Sequence, residues 1–237
     1  MDPSTCGKVS RRMERLVDRC DAFLFDMDGV LTDSMPWHFE AWRRVLVDLG
    51  ITVSRDAILR REGEKGLFTL RSLLAERGRE LPEGVLLEIL SRKEQIFRSL
   101  SFPKLFPGAQ ELVFDLRAAD KRLALVTGTS ASEVETNLPR DLVRCFDVVV
   151  TGDRVQKGKP DAEPYRVALQ GLGTAREASM VIENAPYGIQ SAKAAGLRCV
   201  ALATSLPARF LEGADHVVQG IHELRSLLFG AGVPGPA

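Results

Sequence analysis

Two aspartates one residue apart, Asp26 and Asp28, follow the apolar run Ala22–Phe25 and lead at once into Gly29. Residues two apart on an extended chain face the same side, so both carboxylates aim at one place. There they repel unless a metal ion or a shared proton offsets the repulsion. Both remedies are chemically useful. One carboxylate can attack phosphorus and become an aspartyl-phosphate, while a neighbour of raised pKa serves as acid and base. Gly29 lets the backbone turn tightly beside a bound group. The same D-x-D-G opening begins calcium loops, which continue with acids at alternate positions and close on a glutamate. Val30 and Thr32 break that pattern, which leaves an ordinary acidic turn as the bland alternative.

Such a pair needs a strand that ends where it begins. Apolar runs recur at 22–25, 122–127, 179–184 and 198–203, each followed by turn or polar residues and then a helical pattern; 146–152 and 215–218 look like two further strands. Helical patterns cover 109–119, 132–138, 162–172 and 187–195. Strands alternating with helices, and apolar almost throughout, predict a parallel sheet covered on both faces. Right-handed crossovers make it a doubly wound α/β layer, whose ligands bind beyond the carboxyl ends of the strands. Residues 35–102 interrupt the alternation with helical patterns only, bracketed by Pro36, Pro103 and Pro107. In "WHFEAWRRVLVDLG" the residues Trp37, Ala41, Trp42, Val45 and Leu49 form one stripe. The expected organisation is a lead-in over 1–20, a core of 21–34 and 103–229, an inserted helical cap over 35–102 and a disordered tail at 230–237.

Composition narrows the partners. The 237 residues carry 32 basic and 32 acidic side chains, a formal net charge of zero, and 45% are hydrophobic. That supports a sizeable core and argues against broad attraction to nucleic acid or membrane, so an anionic ligand must be held by local groups. Cys6, Cys20, Cys145 and Cys199 are too scattered for a zinc site or a disulfide framework; reduced thiols in a cytoplasmic protein are expected. No stretch has the length of an apolar membrane span, and the charged first residues lack the apolar centre of a signal peptide.

At "DMDGVLTDS" the chain resembles the first signature of the haloacid dehalogenase superfamily of phosphohydrolases and phosphomutases, and three more signatures follow in order. Thr127 closes "ALVT", Lys159 sits in "KGKPDAEPY", and Glu183–Asn184 close a strand in "VIENAPYGIQ". Singly these are weak: a threonine there is commonly a cap and a lysine before proline a solvated turn. Together they span residues 21–228. The resemblance implies Asp26 as nucleophile and Asp28 as general acid and base. Thr127 and the amide of Gly128 then bind the transferring phosphoryl group, and Lys159 neutralises it. The implied Mg²⁺ lies on the Asp26 carboxylate, the Asp28 main-chain carbonyl and the Glu183–Asn184 pair. Asn184 departs from the aspartate usual at that place, removing one charge.

An insertion after the first signature resembles the branch of β-phosphoglucomutase and phosphoglycolate phosphatase. "DSMPWHFEAW" is similar to the mutase, with His38 as the cap-hinge histidine beside Trp42. "RREGEKG" is instead similar to the loop of a cap-bearing inorganic pyrophosphatase, which implies that Glu62 reaches the metal and that Arg61 or Lys65 meets a distal phosphate. A solvated charged loop is the plain alternative. A charged loop facing the site favours small, highly anionic substrates. The expected activity is therefore a Mg²⁺-dependent phosphohydrolase acting on a small phosphorylated metabolite: a sugar phosphate, a phosphoglycolate-like ester or pyrophosphate. The alternatives are a phosphomutase, whose lid excludes water, and a binding module that has lost turnover. Relatives of this size imply a monomer.

Overall fold

The computed structural model describes residues 15–100 and 104–230. Most of the lead-in and nearly all of the tail lie outside them, as does Cys6. Six strands form one wholly parallel sheet: β1 Ala22–Phe25, β2 Arg122–Val126, β3 Val148–Val150, β4 Ser179–Glu183, β5 Arg198–Leu202 and β6 His216–Val218. Their order is β3-β2-β1-β4-β5-β6. The doubly wound α/β fold expected from the alternation is therefore present.

Alternation along each strand divides the core. Phe23, Phe25, Leu123, Leu125, Met180 and Ile182 face one side, while Ala22, Leu24, Ala124, Val126 and Val181 face the other. Helices cover both. In chain order they are α1 Met35–Asp48, α2 Arg55–Leu59, α3 Gly66–Ala75, α4 Glu83–Leu100, α5 Ala109–Ala118, α6 Ala131–Asn137, α7 Arg140–Val143, α8 Glu163–Leu172, α9 Pro186–Ala194 and α10 Ile221–Phe229. Helices α5 and α10 pack on the first face through Leu112, Leu116, Leu224 and Leu228. Tyr165, Leu172 and Ile189 of α8 and α9 pack on the second. Near-continuous burial on both sides is why these strands lack polar alternation.

Helices α1 to α4 gather around a separate apolar cluster that includes Trp42, Val45, Leu46, Leu70, Leu73 and Leu86. Ala41, Trp42 and Val45 of the expected stripe are buried, with Leu46 beside them. The short α2 and α7 and the terminal α10 carry too few periodic residues to stand out in the sequence. The described thiols, Cys20, Cys145 and Cys199, are free. Among the described residues no helix is long and apolar enough to cross a membrane.

Leu24, fully buried in the central strand, tests the sheet's second face. Leu24→Ala should cost about 2–5 kcal/mol in urea unfolding, whereas Val47→Ala on the exposed side of α1 should stay within about 0.5 kcal/mol.

Candidate active site

Three strand ends converge where the strand order switches from β2 to β1 to β4, the crevice expected to bind ligands in such a sheet. Each strand's ladder extends just far enough to fix a polar residue. The Asp26 amide donates to Ile182 O at 3.0 Å and the Thr127 amide to Val150 O at 2.9 Å. Glu183 ends β4, with Asn184 next.

Asp28 reaches the same cleft by a turn, not by strand alternation, because β1 stops at Phe25. The Met27 carbonyl accepts from the amides of Leu31 and Thr32 at 2.9 and 3.0 Å, and Gly29 takes φ 82°. A β-carbon on Gly29 would sit 2.0 Å from Asn184 Nδ2, so glycine is required twice over: for the left-handed turn and for the close approach. The Asp28 carboxylate accepts from Ser34 Oγ at 2.5 Å and Thr129 Oγ1 at 2.9 Å. Burial pushes this carboxyl up, but His38 and the two hydroxyls outweigh it and hold it at about 2.

Lys159 lies under the cleft, 2% exposed. Its Nζ donates to Asp26 Oδ1 and to Glu183 Oε1, both at 2.6 Å, and to the Val126 carbonyl at 3.1 Å. Tyr165 Oη donates to the same Glu183 oxygen at 2.7 Å, and the Asn184 amide donates to Glu183 Oε2 at 2.9 Å. One ammonium thus serves two buried carboxylates. Burial raises the Asp26 carboxyl; Lys159 opposes that, but Glu183 and Asp28 reinforce it, and Asp26 reaches about 8.

The loop between α2 and α3 closes over these groups. Gly63 packs so tightly on Lys159 that a β-carbon there would sit 2.5 Å from Cδ, and one on Gly128 would meet Gly63 O at 2.9 Å. Glu62 accepts from Asn184 Nδ2 at 2.9 Å. Burial, then the charges of Asp26, Asp28 and Glu183, push Glu62 well above the usual carboxylate range. From α1, His38 Nε2 comes within 3.4 Å of Asp28 Oδ1 without hydrogen-bond alignment, while its Nδ1 lies 3.2 Å from Lys93 Nζ. Lys93 can donate only, so Nδ1 accepts and Nε2 carries the proton facing Asp28.

Two loop cations have partners within the chain. Lys65 Nζ donates to the Val155 carbonyl at 2.6 Å, so it anchors the loop to the core. Arg61 lines the cleft, but its guanidinium is bonded to Glu76.

Among the described residues, four buried side-chain oxygens have no partner, and three of them belong to the groups gathered here: Asp26 Oδ2, Glu62 Oε1 and Asn184 Oδ1. Leaving such groups unsatisfied is costly, and all three are hard donors suited to Mg²⁺. No group of three or more His, Cys, Asp or Glu side chains forms a ready metal cluster among the described residues. Asp26 Oδ2, Glu62 Oε1 and the Asn184 amide oxygen instead make a mixed donor set.

Comparison with known proteins settles the family. Residues 20–196 match the model of the haloacid dehalogenase-like hydrolases. This chain belongs to that family. A phosphorylated carbohydrates phosphatase of Thermotoga maritima is 36% identical over 75% of this chain and 82% of its own length. The beta-phosphoglucomutase of Bacillus subtilis is 28% identical over 86% of this chain and 91% of its own. A hydrolase structure from Pseudomonas syringae superposes with a TM-score of 0.82 at 26% identity, covering 90% of this chain and all of that one. This haloacid dehalogenase-type protein is an enzyme acting on phosphate groups.

The sequence analysis gave no role to Ser34, Thr129, Tyr165, Lys93 or Glu133. Ser34 and Tyr165 stand inside quoted signatures, and Thr129 lies two residues beyond Thr127. Lys93 carries no local signal, and Glu133 only the S-x-x-E pattern of a helix cap with Ser130. The Lys159 hub generates a stability prediction. Lys159→Met leaves Asp26 and Glu183 buried without their counterion and should destabilise the fold by about 3–5 kcal/mol in denaturant unfolding.

Proposed function

We propose that this enzyme hydrolyses monoesters of small phosphorylated carbohydrates through an aspartyl-phosphate on Asp26. The observation that carries this reading is the state of Asp26: Oδ1 is clamped by Lys159, while Oδ2 is buried, unpartnered and on the cleft wall. The relative acting on phosphorylated carbohydrates supports the substrate class.

Asp26 Oδ2 attacks phosphorus in the carboxylate form, which burial opposes and Lys159 favours, and the ester oxygen leaves with a proton from Asp28. The Asp28 carboxylate then takes a proton from water as that water attacks the aspartyl-phosphate, releasing phosphate and restoring Asp26. Asp28 is ionised as it stands; the arriving phosphate dianion raises its proton affinity for the first step. The Thr127 hydroxyl accepts from the Thr129 amide at 3.1 Å, so its own proton is free to donate to the phosphoryl group, together with the Gly128 amide. Lys159 offsets the charge that builds there. Mg²⁺ would be held by Asp26, the Asp28 carbonyl, Asn184 and Glu62, supplying positive charge against the carboxylates and the phosphoryl oxygens. The helices of residues 35–100 act as the cap, with the Glu62–Gly63 loop as its contact with the core.

Phosphomutase activity is the competing reading, favoured by the approach of His38 to Asp28 and by the Bacillus relative. Release of free phosphate from p-nitrophenyl phosphate with Mg²⁺ separates the two. Asp26→Asn should abolish release, and Asp28→Asn should lower kcat about 10²–10⁴-fold. Full activity in Asp26→Asn refutes covalent catalysis, and conversion of a hexose 1-phosphate to its 6-phosphate without free phosphate refutes the hydrolase. Asn184→Asp replaces the donor to Glu62 by a second carboxylate. Its activity should therefore show a shifted Mg²⁺ titration curve; a curve identical to wild type would remove Asn184 from the ligand set.

A further inference from the structure

Beyond the reacting groups the cleft wall is acidic. Glu133 lies in the first turn of α6, where its Oε2 accepts from the Ser130 amide and hydroxyl at 3.4 and 3.3 Å. Its other oxygen, Oε1, is buried and has no partner among the described residues. The residue is 8% exposed and lines the cleft. Glu64, Glu94 and Asp153 line the same space. Burial, reinforced by Glu133, raises the Glu94 carboxyl, as expected where acids crowd.

The cations that might balance this wall are largely committed elsewhere. One Arg61 nitrogen is bonded to Glu76 while its buried Nε has no partner among the described residues, and Lys65 is bonded to the Val155 carbonyl. Lys93 remains, but it is engaged with His38 and stands over the Trp42 and Phe97 rings at 5.6 and 5.2 Å. A second phosphate would face Glu64, Glu94, Glu133 and Asp153 with only Arg61 Nε and Lys93 to set against them. A hydroxyl, by contrast, is the donor that an orphaned carboxylate oxygen lacks.

We infer that the far end of the cleft selects substrates carrying one phosphate on a hydroxyl-bearing carbon chain, with Glu133 Oε1 accepting a substrate hydroxyl, and that it rejects bisphosphates and pyrophosphate. This rests on the proposed hydrolase reading and deepens it. It also bears on the mutase reading. Moving a phosphoryl group between two hydroxyls by way of Asp26 passes through a doubly phosphorylated sugar, because the enzyme's phosphoryl group is delivered to one hydroxyl before the other is relieved of its own. The acidic wall opposes that species. It likewise reverses the expectation that the charged loop favours highly anionic substrates.

The test measures phosphate release from a panel of hexose and hexitol monophosphates, the matching bisphosphates and pyrophosphate, with p-nitrophenyl phosphate as the reference lacking hydroxyls. The best monophosphate should exceed every bisphosphate and pyrophosphate in kcat/KM by roughly tenfold or more. Glu133→Gln keeps a capping side chain, yet should lower kcat/KM for that monophosphate roughly tenfold while p-nitrophenyl phosphate changes less than about twofold. Glu94→Lys, at an exposed position, should raise bisphosphate use relative to monophosphate. Equal use of bisphosphate or pyrophosphate, or a loss in Glu133→Gln shared by both kinds of ester, overturns the inference alone. No turnover of any ester, the reference included, overturns the hydrolase reading and this one with it.

Discussion

A single buried ammonium holds the site together. Lys159 joins Asp26 to Glu183 at 2.6 Å on each side, in an interior where unpaired charge is strongly unfavourable. It cannot neutralise both carboxylates, and Glu62 and Asp28 crowd the same space. Such crowding of carboxylates suits the proposed hard cation, whose charge would in turn admit an anionic phosphoryl group. This also explains why Tyr165 and the Asn184 amide are spent on Glu183. They fix the carboxylate that fixes the lysine, so that the lysine in turn fixes Asp26.

The sheet makes this arrangement rigid. Asp26, Thr127 and Asn184 each sit just past a strand end, and the ladder continues onto the first two through main-chain bonds. Their side chains therefore point from backbone that cannot drift. The loop above is positioned by opposite means: glycines at 63 and 128 allow main chain to touch main chain, and Lys65 ties the loop to Val155. Asn184 links the two levels, since one end of its amide holds Glu62 and the other is left for a cation. An aspartate there would do the second task but not the first.

Much of this was legible in the residues alone. Apolar runs ending in polar residues located β1, β2, β4 and β5, because strands buried on both faces have no polar positions to blur their limits. The order of signatures located Asp26, Asp28, Thr127 and Lys159. What stayed hidden depends on approach through space. Lys93 meets His38 across 55 residues and Lys65 meets Val155 across 90; a charged loop reads the same whether its lysine faces a substrate or a carbonyl. Asp26 and Asp28 do line one cleft, and the turn at Gly29 follows directly.

The central claim is that phosphorus becomes bonded to one oxygen of Asp26. A crystal structure with Mg²⁺ and beryllium fluoride, an acyl-phosphate mimic, tests it most directly. The proposed chemistry predicts beryllium bonded to Asp26 Oδ2, with the cation touching Asp26, Asn184 and Glu62. Beryllium fluoride bound to any other side chain, with Asp26 still paired only to Lys159, would contradict it.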